Sequence, residues 1–226
     1  MMINKNIFVA CDVSSQKEIL SLLDLIHEDI SGIKIGLQYI TQRSPEEIRE
    51  LSKFNKPIFY DGKFFDIKNT LVESIKSLKD LNINYATIHL LNGLDALKAA
   101  NDVAQEININ LLGVSVLTSF SDKDLESLGF KNTVNDQVKK LIKIATDANL
   151  YGVICSPLEI KMVKAIAPDL KCFTPGIRIE NTKDDQKRTM NANEAIKEGS
   201  DCLIIGRPIT KGDPKKNILN ILSSIK

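Results

Sequence analysis

A (β/α)8 barrel, the TIM barrel, is the fold this sequence predicts, and three observations predict it. Eight short apolar runs punctuate the chain. The segments between them carry apolar residues at spacings of three and four, the mark of an amphipathic helix. The strand–helix unit recurs about every 28 residues, so 226 residues accommodate one barrel spanning positions 1–226. The rival architecture is an open doubly wound sheet, which usually carries a glycine-rich turn after its first strand. Here the first run leads into "CDVSS", which has no glycine. No Pro/Gly/Ser-rich linker breaks the pattern, so a single domain is expected.

The elements follow in order. "IFVACDV" (7–13) is the first run, and "SSQKEILSLLDLIHED" is the helix behind it. Ser14 or Ser15 can cap that helix, with Glu18 three residues beyond Ser15, a capping-box spacing. The second and third runs are "GIKIGL" (32–37) and "PIFYD" (57–61), the latter leading toward a helix in "NTLVESIKSLKDL". "YATIHL" (85–90), "NLLGVSV" (110–116) and "YGVICS" (151–156) come next. "KCFTPGI" (171–177) and "DCLIIG" (201–206) complete the eight. After the seventh lies the longest irregular polar stretch, about 178–190. Such a segment inside a compact domain is more often functional or mobile than idle.

Apolar content of 43% suffices for a sizeable core, and a net charge of +1 gives no hint of a nucleic-acid partner. The lysine pairs at 139 and 215 read as solvated helix faces. Cys11, Cys155, Cys172 and Cys202 lie in or beside strand-like runs, with neither CxxC nor metal spacing. They are expected to be reduced core residues of a cytoplasmic protein. No secretory signal is visible, and no apolar run approaches the ~20 residues of a membrane span.

In a barrel of this kind the active site lies at the C-terminal ends of the strands. Asp12 ends the first, Lys34 sits on the second, and Asp61 ends the third with Lys63 two residues on. Period two places Asp61 and Lys63 on one face if the strand reaches that far. Asp66 falls out of that row and must lie at the turn into the next helix. Alternating acids and bases resolve the cost of burying charge. At ~4 Å and an effective dielectric of about 20, each contact is worth roughly 4 kcal/mol before desolvation. A structural ion-pair network at the rim is the plainer alternative. His89 and Asn92 end the fourth strand, and Thr118 and Ser119 follow the fifth. Arg178 follows the seventh, in "TPGIR". In "GRPIT", after the eighth, Gly206 permits close backbone approach and Arg207 offers a planar fork, so a phosphate ester is the expected ligand. His27 and His89 read more readily as a surface and a satisfied core histidine. No metal motif is present, neither HxH nor HExxH.

Together these motifs resemble the orotidine 5′-phosphate decarboxylase family. "DGKFFDIKNT" is similar to its Asp-x-Lys-x-x-Asp-Ile signature ending in Asn-Thr. "ACDV", "IKIGL", "VLTS", "TPGIR" and "IIGRPIT" match in order from residue 10 to 211. The resemblance implies decarboxylation of orotidine 5′-monophosphate to UMP and carbon dioxide without a cofactor or metal. It implies that Lys63 protonates pyrimidine C6, with Asp61, Asp66 and Lys34 completing the charge array. Asp12 and Lys34 would contact the ribose hydroxyls, and Thr118 the pyrimidine. Pro175 falls among the substrate contacts. Gln186, Gly206, Arg207 and Arg178 would grip phosphate, with 178–190 as the closing loop. It further implies a homodimer with shared sites, in which Asp66, Ile67 and Thr70 serve the partner subunit. Two positions depart from the pattern: Gly62 stands where a bulkier apolar residue is common, and Lys68 where proline is common. One rival is a magnesium-dependent sugar-phosphate decarboxylase or aldol-type synthase, which shares the signature but carries a glutamate on strand two. A catalytically inert nucleotide-binding barrel is the other.

Overall fold

The computed structural model describes residues 6–13, 15–178 and 189–225. Its strands are β1 (Ile7–Ala10), β2 (Gly32–Gly36), β3 (Ile58–Phe64), β4 (Tyr85–His89), β5 (Asn110–Val114), β6 (Gly152–Ile154), β7 (Lys171–Thr174) and β8 (Cys202–Ile205). All pair parallel in chain order, and β8 returns to β1 through Val9 and Ile205, closing the barrel. Each apolar run read from the sequence is therefore a strand. Most strands are shorter than their runs, because the chain turns out of the sheet at its C-terminal end. β3 is the exception and continues past Asp61 to Phe64.

The helices start where their caps dictate. Ser15 accepts the N–H of Glu18 and opens the helix Gln16–Ile26. Ser44 and Glu47 form a reciprocal capping box for Pro45–Glu50. The helix after β3 begins one residue earlier than the sequence suggests, at Lys68, and runs to Lys76. Lys68 thus occupies the first helical position, where proline's fixed φ would be favoured. Its ammonium instead reaches Asp95 on the next long helix, Leu94–Glu106, at 2.9 Å.

Two apolar layers follow from strand alternation. Ile33 and Ile35 on β2, Ile58 on β3, and Ala86 and Ile88 on β4 face outward and pack beneath the helices. Phe8, Ala10, Phe59, Leu112, Phe173, Cys202 and Ile204 fill the barrel interior. Fully burying each large apolar side chain contributes about 1.5–3 kcal/mol. At the lower end of the barrel, Phe8 meets Tyr85 and Phe173 edge-on, at 5.6 and 6.0 Å between centroids. Gly32 makes room for that floor: a Cβ there would lie 2.2 Å from the Phe8 ring. With the floor closed by aromatics, the inward positions one step higher on β2 and β3, Lys34 and Asp61, reach the open mouth, while Thr87 on β4 lies buried beneath it. All four cysteines carry free, buried thiols, as the sequence suggests. Among the described residues no helix is long and apolar enough to cross a membrane.

Candidate active site

The mouth is organised around Asp61. Its Oδ1 accepts from the Lys63 ammonium at 2.8 Å, and its Oδ2 lies 3.1 Å from the Lys34 ammonium. Lys34 also reaches Asp12 Oδ1 at 3.3 Å. The four charges expected from three neighbouring strands therefore form one alternating chain, Asp12–Lys34–Asp61–Lys63. Burial works against the charge of Asp61, but Lys34 and Lys63 outweigh it and hold the carboxyl below its usual range. Burial likewise opposes the Lys34 ammonium. Asp61, and then Asp12, overcome that effect and keep it above the ordinary lysine value.

A bulge in β3 makes this geometry possible. Tyr60 pairs with Ala86 and Phe64 with Ile88, so Asp61, Gly62 and Lys63 stand opposite Thr87 alone. Lys63 adopts a left-handed backbone, φ +48°, which costs roughly 1–2 kcal/mol for a residue with a Cβ. Gly62 has a structural reason here. Tyr60 and Phe64 stack face to face across it on the outer surface, 5.8 Å apart and 7° from parallel. A Cβ on Gly62 would come within 2.7 Å of the Tyr60 ring. The space that a larger residue would take is filled by Tyr60.

Two cavities share this mouth. One, about 190 Å³, is walled by Phe59, Val114, Val116 and Ile154, with Lys34, Asp61, Lys63 and Thr118 at its polar side. The other, about 550 Å³, is lined by Asp12, Arg178, Gly206 and Arg207. Lys34, Pro175 and Ile204 belong to both, so the two are contiguous. One chamber is largely apolar with a charged edge; the other is polar and cationic. The sequence-predicted residues Asp12, Lys34, Asp61, Lys63, Thr118, Pro175, Arg178, Gly206 and Arg207 are thus brought together. Sequence reasoning missed Gln38, Gly176 and Lys211, which also line the larger chamber. Lys211, one residue past "RPIT", could have been found as a second cation there.

Asp66, Ile67 and Thr70 are exposed and line neither cavity. Asp66 accepts the Ile67 N–H at 2.7 Å, while its own N–H donates to Asn92 Oδ1 at 3.1 Å. Asn92 also donates to the carbonyls of Phe64 and His89. It therefore staples the segment after β3 to the end of β4. Gln186 and most of the expected closing loop lie outside the described residues. His89 is not the core histidine its apolar strand suggests. It ends β4, half-buried, with its ring 5.5 Å from Phe65. Burial, then the nearby Lys63, lowers its pKa, and Nδ1 accepts the Leu91 N–H. Among the described residues no group of three or more His, Cys, Asp or Glu side chains is placed to hold a metal ion.

Comparison with known proteins gives the family and the fold. The family described as "Orotidine 5'-phosphate decarboxylase / HUMPS family" matches residues 5–220. The orotidine 5′-phosphate decarboxylase of Wolbachia pipientis subsp. Culex pipiens is 38% identical over 221 residues, covering 97% of this chain and 98% of that protein. That of Ehrlichia canis is 39% identical, covering 97% of each. The crystal structure of orotidine 5′-phosphate decarboxylase from Lactobacillus acidophilus superposes with a TM-score of 0.86 at 30% identity, over 99% of this chain and 100% of that one. An uncharacterized conserved protein from Geobacillus kaustophilus shares the fold, with a TM-score of 0.83 at 22% identity. Matched over nearly its whole length by both the family model and these relatives, the chain belongs to the orotidine 5′-phosphate decarboxylase / HUMPS family.

Proposed function

We propose that this barrel, as one catalytic domain, decarboxylates orotidine 5′-monophosphate to UMP and carbon dioxide, the last step of UMP biosynthesis. The observation that carries the reading is the alternating Asp12–Lys34–Asp61–Lys63 chain along the charged edge of the apolar chamber. The pyrimidine enters the smaller chamber, where Thr118 reads its polar edge. Ribose hydroxyls meet Asp12 and Lys34. Phosphate lies in the larger chamber against Gly206, Arg207 and Arg178.

The C6–carboxylate bond breaks and its electron pair stays on C6. Lys63 Nζ transfers a proton to that carbon, and the amine regains one from solvent. The array is charged before substrate arrives, so stabilising the developing carbanion needs little reorganisation. Binding energy from the distant phosphate organises the reacting end. No cofactor is required. In the magnesium-dependent rival, carboxylates hold a metal; here the Lys34 ammonium already sits between Asp12 and Asp61.

The molecule works as a homodimer with shared sites. Asp66 is flanked by Phe65 and Ile67, which are 62% and 74% exposed, and Leu91 and Leu94 are exposed nearby. A second copy would cover this apolar surface and receive Asp66, Ile67 and Thr70 at its own mouth. Buried free thiols suit a reducing compartment, and we place the protein in the cytoplasm.

The test follows the absorbance change of orotidine 5′-monophosphate with purified protein, beside Lys63→Ala and with EDTA. Turnover that survives chelation and disappears in the variant is expected. An inactive wild type, equal turnover by the variant, or strict magnesium dependence would sink the reading.

A further inference from the structure

We infer that Thr87 is a positioning residue for this reaction, whose hydroxyl sets the carboxylate of Asp61 and the backbone of Lys63 together. The inference rests on reading Lys63 as the proton donor. It begins with the bulge, where three residues of β3 stand opposite Thr87 and the regular ladder is interrupted. A bulged backbone N–H needs another partner if it is not to be left unsatisfied. The Lys63 N–H finds it in Thr87 Oγ1, at 2.8 Å. That hydroxyl in turn donates to Asp61 Oδ1, at 3.0 Å. The same Oδ1 accepts from Lys63 Nζ, at 2.8 Å.

The bonds close a ring: Lys63 N–H to Thr87, Thr87 to Asp61, and Asp61 back to the Lys63 ammonium. Both ends of Lys63 are thereby tied to one threonine–aspartate pair. Thr87 is 0% exposed and lines neither cavity, so it acts only through these two residues. Its hydroxyl has one proton and it points to Asp61. Asp61 Oδ1 is therefore fixed from two directions while Oδ2 remains with Lys34. Without the hydroxyl, the Lys63 N–H loses its acceptor and the carboxylate can rotate.

The experiment compares Thr87→Val, which keeps the shape, with Thr87→Ser, which keeps the hydroxyl. Loss of alignment at a reacting group by ~1 Å can reduce a rate on the order of 10²-fold. We expect Thr87→Val to lower kcat on that order, with KM changed less than about threefold because the phosphate chamber is untouched. Thr87→Ser should recover most of kcat. If Thr87→Val does not fold, Thr87→Ala is read in the same way. Wild-type kcat in the hydroxyl-free variant, equal impairment of Val and Ser, an effect confined to KM, or failure of both Val and Ala to fold would each overturn the inference. Absence of turnover in the wild type would overturn the decarboxylase reading instead.

Discussion

Asp61 is the residue on which the mouth depends, because it pairs with two ammonium groups, one of which, that of Lys34, is largely buried. Its carboxyl is held below the usual range, so its stabilising contribution is present above the unfolded value of about 3.9 and fades as pH falls through the lower folded value. Lys34 behaves in the opposite sense. Its contribution is present below the unfolded value of about 10.4 and is lost as pH rises through the higher folded value. Both are in place at neutral pH. Asp61→Ala should therefore cost about 3 kcal/mol at pH 7, since it strands buried charge. The cost should shrink as the medium is taken well below pH 3.9, because the wild-type carboxyl then protonates as well. Urea unfolding of both proteins across that range checks this, and a penalty independent of pH would contradict it. His89 differs in kind: burial and Lys63 favour its neutral ring, so acid below about 6.5 works against the fold at that position.

At the scale of elements, the segment after Tyr60 is held by groups from the neighbouring strand and by its own aromatic stack. Gly62 is the gap that the Tyr60–Phe64 stack spans. Gly62→Leu should destabilise by about 1–3 kcal/mol through overpacking. Adding Tyr60→Ala should return part of that loss, because the ring that clashes is removed. Chemical denaturation of the single and double variants measures it, and additive losses would show that the two side chains do not compete. The capping box of Ser44 is separate from the site. Ser44→Ala should cost ~1 kcal/mol with no effect on turnover. The sequence made the strands legible because strands of a closed parallel barrel, covered on both faces, read as apolar runs. It hid the end of β3, where Gly, Lys and a left-handed backbone do not resemble a strand. Thr87 was hidden for a related reason: inside "YATIHL" a threonine looks like β-branched filler, and only the register reveals what its hydroxyl faces.

For the whole molecule, what was legible was the order of chemistry around the barrel. Asp12, Lys34, Asp61 and Lys63 come from consecutive strand units, and the (β/α)8 pattern read from the sequence makes consecutive strands neighbours, as they are here. Whether Asp66 serves a second copy was not derivable from spacing, since an exposed Asp66 satisfies a surface position equally well. Mixing inactive Lys63→Ala and Asp66→Ala proteins tests it. Each mixed dimer would pair the intact Lys63 of one subunit with the intact Asp66 of the other, and activity should reappear. Continued inactivity after subunit exchange, or an active monomer in sedimentation, would remove the shared-site reading.

The ring of hydrogen bonds at Thr87 has a thermal consequence. The Lys63 amide is anchored by a single side-chain oxygen, whereas the β-strands lower in the barrel are stitched by continuous ladders. Segments with fewer backbone partners open first, and they open without the rest of the domain. On heating, the upper end of β3 should part from β4 while the aromatic floor still holds. Turnover should then cease several degrees before circular dichroism records melting, and the Lys63 amide should exchange with deuterium sooner than those of β5.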